Sequence, residues 1–122
     1  MKKKILLVDD SKVALMTQQM LLRNTAGYEV LVASDGDEAV SIAIAEQPDL
    51  ILMDVVMPTM NGLEACRVLR SQPKTKGIPI ILVTTRGESE SVEAGFKSGC
   101  TDYVTKPVNA VELLRKIADL VE

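Results

Sequence analysis

The segment LILMDVVMP, residues 50–58, decides the fold of this chain. Its apolar residues lead into Asp54, and Pro58 then interrupts any regular structure. A short apolar run that is bounded by breakers is typical of a strand buried on both faces of a parallel sheet. Open α/β sheets bind their ligands at the carboxyl ends of their strands. The position of Asp54 therefore indicates a functional carboxylate.

Strands and helices alternate on both sides of this segment. Apolar runs predict five strands, at residues 4–8, 28–33, 50–53, 80–83 and 102–105. Helical periodicity predicts a helix after each strand, at about residues 12–24, 36–46, from 61, 88–98 and from 109. Three of these helices begin with the spacing of a capping box: Asp35 with Glu38, Asn61 with Glu64, and Asn109 with Glu112.

This alternation predicts one domain, residues 1–122, in which helices cover both faces of a parallel sheet. Right-handed crossovers leave few ways to order the strands. We predict the flavodoxin-like (βα)5 three-layer sandwich with the strand order 2-1-3-4-5. In that order strands one and three are neighbours, so Asp9 and Asp10 at the end of the first strand would meet Asp54 at the end of the third.

Three carboxylates at one point need a cation to neutralise their charge. Two of them ~4 Å apart repel by roughly 4 kcal/mol at an effective dielectric constant near 20. Oxygen ligands without sulfur or imidazole favour Mg²⁺, with Mn²⁺ as a substitute. Asp54 is then either a third metal ligand or a nucleophile that takes a phosphoryl group. Lys106 and Thr84, at two further strand ends, offer an ammonium group and a hydroxyl to phosphoryl oxygens.

Composition excludes several other classes of protein. The net charge is −3 and no basic patch is visible, which disfavours direct contact with nucleic acid. No apolar run approaches ~20 residues, so we expect no membrane insertion and a cytoplasmic location. Cys66 and Cys100 are expected to be buried apolar residues rather than a disulfide or a metal site. The absence of histidine removes the commonest general base.

Five motifs resemble the receiver domain of two-component response regulators, and they cover essentially the whole chain. They are Asp9-Asp10, Asp54 within LMDVVMP, Asn61-Gly62, Thr84-Thr85 and Lys106-Pro107. The chain is similar in particular to the single-domain chemotaxis receiver. The resemblance implies a signalling switch that assists its own phosphorylation and slow dephosphorylation and is not a turnover enzyme.

The resemblance also implies a role for each site residue. Asp54 would be the phosphoacceptor and would bind Mg²⁺ together with Asp10. Asp9 would bind the metal mostly through water, and Val56 would offer its backbone carbonyl. The phosphoryl donor would be a phosphohistidine on a sensor histidine kinase or a phosphotransfer protein.

The same resemblance implies how the phosphoryl group is sensed. Lys106 would pair with it, Thr84 would swing towards it, and Tyr103 would change rotamer in response. The bond between Lys106 and Pro107 would be cis. The face formed by helix four, strand five and helix five would then bind a downstream target protein or effector domain, with a phosphorylation-dependent dimer as a further outcome.

Three other functions compete with this prediction. A phosphatase or transferase with an aspartate nucleophile commonly has a second acid two residues later, where this chain has Val56. A nucleotide-binding domain would need a glycine-rich loop after the first strand, and none is present. A phosphorylation-independent receiver-like scaffold stays open as the alternative. We further hypothesise that Val56 and Arg86 restrict the hydrolytic water and set the lifetime of the phosphoryl group.

Overall fold

The structure is a computed structural model, and it describes residues 2–85 and 89–122, without the side chains of residues 85 and 89–92. Five strands alternate with five helices in chain order: β1 (Lys4–Val8), α1 (Lys12–Ala26), β2 (Glu29–Ala33), α2 (Gly36–Glu46), β3 (Leu50–Asp54), α3 (Gly62–Ser71), β4 (Ile80–Thr85), α4 (Ser89–Ser98), β5 (Asp102–Lys106) and α5 (Ala110–Val121). The alternation predicted from the sequence is confirmed.

The strands form one sheet of order β2-β1-β3-β4-β5 in which every neighbouring pair is parallel. Successive residues of each strand face opposite sides, so the sheet divides the buried residues into two clusters. One cluster contains Leu6, Met53 and Leu82 with α2 and α3 residues such as Ala39 and Leu69. This arrangement confirms the predicted flavodoxin-like three-layer sandwich and its strand order.

The second cluster lies on the other face, where Leu7, Leu52 and Val83 pack with Leu22 of α1 and Ile117 of α5. These side chains are between 0 and 2% exposed. The central strand β3 is buried at all five positions, which is the pattern that residues 50–54 predicted.

Helix starts follow the predicted capping residues. The side chains of Asp35, Asn61 and Asn109 each accept a hydrogen bond from the backbone N–H three residues later, at 2.8 to 2.9 Å. Ser11, and not the neighbouring Asp10, caps α1 by accepting from the Ala14 N–H at 3.2 Å. Asp10 is therefore not required as a helix cap.

Several predicted boundaries were wrong by one or two residues. β3, β4 and β5 run on to Asp54, Thr85 and Lys106, because backbone pairing continues past the last apolar residue. α1 continues to Ala26 before Gly27 ends it in a left-handed conformation with φ of 71°, and β2 begins one residue later than expected. The predicted start of α4 at residue 88 lies outside the described residues.

Two other expectations, on the cysteines and on the bond before Pro107, are confirmed. Cys66 and Cys100 are free and buried, at 0% and 8% exposure. The peptide bond between Lys106 and Pro107 is cis. None of the helices in residues 2–85 and 89–122 combines the length and the apolar character that a membrane span requires.

Candidate functional site

Parallel strand pairing brings the functional carboxylates to one edge of the sheet. Val8, the last residue of β1, lies opposite Met53 of β3. Asp9 follows Val8 directly, and Asp54 follows Met53 as the last residue of β3. Because both strands run in the same direction, the two carboxylates leave the sheet side by side.

Asp10 completes a cluster of three carboxylates with Asp9 and Asp54. One oxygen from each group lies within 4.8 Å of the oxygens of the other two. Asp9 and Asp54 are only 3% and 5% exposed, whereas Asp10 is exposed. The convergence predicted from strand order is therefore present, with two buried carboxylates and one at the rim.

Asp54 is held at both oxygens. The Lys106 ammonium donates a hydrogen bond to Oδ2 at 2.7 Å, and the Val56 N–H donates to Oδ1 at 3.1 Å. The Asp9 carboxylate is held in turn by the Ser11 N–H, which donates to its Oδ1 at 2.9 Å. These contacts fix the two buried carboxylates relative to the ends of β1, β3 and β5.

The protonation tendencies of the site follow from burial and from these contacts. Burial raises the pKa of the Asp9 carboxyl; the Ser11 N–H works against this shift, and the neighbouring Asp54 carboxylate adds to it. The hydrogen bond to Asp54 raises the pKa of the Lys106 ammonium, although partial burial opposes the rise. Lys106 is therefore a firmly charged cation beside Asp54.

The donor set fits a hard divalent cation. Three carboxylates face one ammonium group, which leaves an excess of negative charge at a largely buried point. Carboxylate oxygens are the ligands that Mg²⁺ prefers, and it takes one or two of them together with water and phosphate oxygens. Asp9, Asp10 and Asp54 are thus suited to hold Mg²⁺.

Thr84 supplies a buried hydroxyl next to this cluster. Asp54 pairs with Val83 across β3 and β4, so Thr84 lies one residue further towards the same edge. It is 2% exposed, and its Oγ1 has no hydrogen-bond partner within the described part of the chain. A buried hydroxyl without a partner is costly, so this atom is available to an incoming acceptor.

Tyr103 lies on β5, opposite Leu82. Its ring contacts the ring of Phe96 from α4 edge-on, with centroids 6.0 Å apart and an interplanar angle of 88°. The Lys116 ammonium from α5 lies 5.3 Å from the centroid of the same ring. Tyr103 is therefore held on the side of α4 and α5, and its hydroxyl makes no hydrogen bond to Thr84.

Gly62 is a site residue whose role the sequence did not reveal. A Cβ at this position would lie 2.3 Å from the Asp54 carbonyl oxygen, so only glycine lets α3 approach β3 so closely. The Gly62 N–H also donates to the Val55 carbonyl at 2.8 Å. The Asn-Gly dipeptide was the available signal, but it reads equally well as an ordinary turn.

Val56 is 66% exposed beside the site. Its N–H donates to Asp54, and its carbonyl, which the resemblance assigns to Mg²⁺, stays a predicted ligand. Arg86, the second residue of the hypothesis on phosphoryl lifetime, lies outside the described residues.

Comparison with known proteins gives a consistent result. The family model described as "Response regulator receiver domain" matches residues 5–118. Protein PilH of Pseudomonas aeruginosa is 40% identical over 114 residues, 93% of each chain. The alkaline phosphatase synthesis transcriptional regulatory protein PhoP of Bacillus subtilis is 39% identical over 117 residues, which is 96% of this chain and 48% of PhoP. The chain therefore spans about half the length of this longer relative.

A solved structure also has a fold very similar to that of this chain. The receiver domain of the sensor histidine kinase PA1611 from Pseudomonas aeruginosa superposes with a TM-score of 0.91 at 33% identity. The match covers 99% of this chain and 98% of that one. That structure was determined with a magnesium ion coordinated in its active site cleft.

Proposed function

The chain belongs to the response regulator receiver domain family, and on that premise we propose that it is a phosphorylation-activated switch whose phosphoacceptor is Asp54. The observation that carries the proposal is the setting of this carboxylate. It is nearly buried, bound by Lys106 at 2.7 Å, and clustered with two further carboxylates. A purely structural ion pair would not need the two additional acids.

Asp9, Asp10 and Asp54 would hold Mg²⁺, or Mn²⁺ in its place, with the Val56 carbonyl as a further ligand. The metal would neutralise charge on the oxygens of the transferring phosphoryl group. The magnesium ion in the cleft of the PA1611 receiver domain supports this assignment.

In the proposed reaction an oxygen of the Asp54 carboxylate attacks phosphorus, and an aspartyl phosphate bond forms. The donor is a phosphohistidine of a sensor histidine kinase or a phosphotransfer protein. As its N–P bond breaks, the imidazole nitrogen keeps the electron pair and takes up a proton. Lys106, already 2.7 Å from Asp54, then pairs with the phosphoryl oxygens. Hydrolysis by water returns the carboxylate and inorganic phosphate, so each phosphoryl group is used once.

Thr84 and Tyr103 would report the new group. The buried Thr84 hydroxyl, which lacks a partner among the described residues, would donate to a phosphoryl oxygen. Tyr103 would then leave its contact with Phe96 and change rotamer. The surface of α4, β5 and α5 would change as a result. It would then bind a downstream target protein, an effector domain or a second phosphorylated copy. We expect this binding to occur in the cytoplasm and without direct contact to nucleic acid.

Intact mass after incubation with acetyl phosphate tests the proposal. We expect one added phosphoryl group that requires Mg²⁺ and is absent from Asp54→Asn. Asp37→Asn, which removes a carboxylate from the first turn of α2, is the matched control and should be modified like the native chain. A folded protein that binds Mg²⁺ but gains no phosphoryl group would contradict the proposal and favour the phosphorylation-independent scaffold.

A further inference from the structure

Two side chains outside the phosphoacceptor site hold the ring of Tyr103. Phe96 contacts it edge-on from α4, and the Lys116 ammonium lies 5.3 Å from its centroid. Both interactions are attractive, because the edge of one aromatic ring and a cation each favour the electron-rich face of another ring. Phe96 is 48% exposed, and among the described residues Tyr103 is the aromatic ring that it contacts.

The position of Lys116 is fixed by more than the ring. Its ammonium donates to the Tyr103 carbonyl at 2.8 Å and to Asp102 Oδ1 at 3.1 Å. The same carboxylate oxygen accepts from the Tyr103 N–H at 2.8 Å. Asp102 and the backbone of Tyr103 thus keep the cation beside the ring, and these contacts do not depend on the tyrosine rotamer.

The ring contacts do depend on that rotamer. A tyrosine that turns towards Thr84 leaves Phe96 and moves away from the Lys116 ammonium. Contacts that exist in only one of two states shift the balance between them, whereas contacts common to both states shift nothing. Phe96 and Lys116, which each contact the Tyr103 ring and are called the Phe96–Lys116 pair below, therefore stabilise the arrangement in which Thr84 and Tyr103 are not hydrogen-bonded.

We propose that the Phe96–Lys116 pair sets the activation threshold of this switch by holding Tyr103 in its unphosphorylated position. This inference rests on the proposed function. Thermodynamic linkage makes this role measurable. If the pair opposes the state that phosphorylation favours, a variant with a weaker pair must bind a phosphoryl mimic more tightly. The factor is the one by which the equilibrium between the two states has shifted. Lys116 and Phe96 are thus positioning residues that act on Asp54 only through Tyr103.

The test is the affinity of the protein for beryllofluoride with saturating Mg²⁺, since this complex mimics a phosphoryl group on a carboxylate. With both tyrosines replaced by 3-fluorotyrosine, the titration is followed by fluorine NMR, and Tyr28→Phe identifies the Tyr103 signal. Lys116→Met should bind the mimic about threefold more tightly, the factor that loss of a partly exposed cation–π contact gives. Lys97→Met, which removes an exposed lysine of α4 that pairs only with Glu93 among the described residues, should leave the affinity unchanged.

Further variants separate the ring contact from the ion pair to Asp102. Lys116→Arg keeps a cation beside the ring and should restore the native affinity. In a Tyr103→Ala background, Lys116→Met should have no effect on binding, because the ring through which it acts is absent. A threefold effect that persists in that background would overturn the inference, since Lys116 would then act through its charge or through Asp102.

The two proposals fail in different ways. If the native protein binds no beryllofluoride, the assignment of Asp54 as phosphoacceptor is wrong. If the native protein binds it and Lys116→Met binds with the same affinity and the same Tyr103 signal, only the role of the Phe96–Lys116 pair is wrong.

Discussion

Replacing Arg70 by methionine is expected to destabilise the protein by about 3 kcal/mol. Arg70 lies in the last turn of α3, and its guanidinium joins segments that are distant in the chain. Nε donates to the Gly99 carbonyl at 2.7 Å and Nη1 donates to the Ile78 carbonyl at 2.6 Å. Weaker bonds reach the Lys76 carbonyl at 3.1 Å and the Thr101 hydroxyl at 3.3 Å. One side chain therefore connects α3, the loop before β4, the end of α4 and the start of β5.

The magnitude follows from the two short bonds. A hydrogen bond to a charged donor contributes roughly 1.5 to 3 kcal/mol net to the free energy of unfolding. Because Arg70 is only partly buried, the lower figure applies to each of the two short bonds. The two longer bonds are exposed and add little. Methionine keeps an unbranched apolar stem and nearly the same helix propensity, so packing and helix formation change little.

The assay is unfolding by urea and by heat, followed by far-UV circular dichroism. Unfolding entropy of about 2.1 cal/mol/K per residue converts ~3 kcal/mol into a melting temperature lower by about 12 °C for this chain. Arg67→Met is the matched control, because Arg67 lies on the same helix and is exposed. We expect the free energy of unfolding of Arg67→Met to stay within about 0.5 kcal/mol of that of the native protein. If Arg70→Met and Arg67→Met unfold alike, the bonds of Arg70 do not hold these segments together and the reasoning is refuted.

Three other predictions concern the site and its loop. On the proposed phosphorylation of Asp54, Val56→Asn should change the rate of phosphate loss, because Val56 is exposed beside the site and apolar; an unchanged rate contradicts this. Thr59→Gly should raise the free energy of unfolding in urea by about 0.5 to 1 kcal/mol, because Thr59 has a φ of 68°, which is strained for a β-branched residue. The greater freedom of glycine in the unfolded chain offsets part of this gain. The loss of Mg²⁺ affinity on acidification, measured by calorimetry, should begin at a higher pH in the native protein than in Asp9→Asn, because the raised pKa of Asp9 lets protons compete for this carboxylate earlier than for an ordinary aspartate. The same pH dependence in both proteins would contradict the role of Asp9.

The sequence alone determined the class of fold and the edge at which the site lies. Short apolar runs separated by amphipathic helices specify a parallel sheet, and the polar residue that ends each run marks the carboxyl end of a strand. Asp9, Asp54, Thr84 and Lys106 could be assigned to one edge for this reason. Strand ends were less well predicted, because apolar character indicates burial, whereas the backbone pairing that defines a strand continues through Asp54 and Lys106.

Only the tertiary structure decided which side chains touch. The bond between Lys106 and Asp54 joins residues 52 positions apart, and that between Arg70 and Gly99 joins residues 29 apart. Sequence periodicity records which face of an element is buried, but it contains no information on the distance between side chains of different elements. Those distances are set by how helices pack on the sheet. For this reason the close approach of Gly62 to Asp54 and the contacts of Lys116 with Tyr103 emerged only from the folded chain.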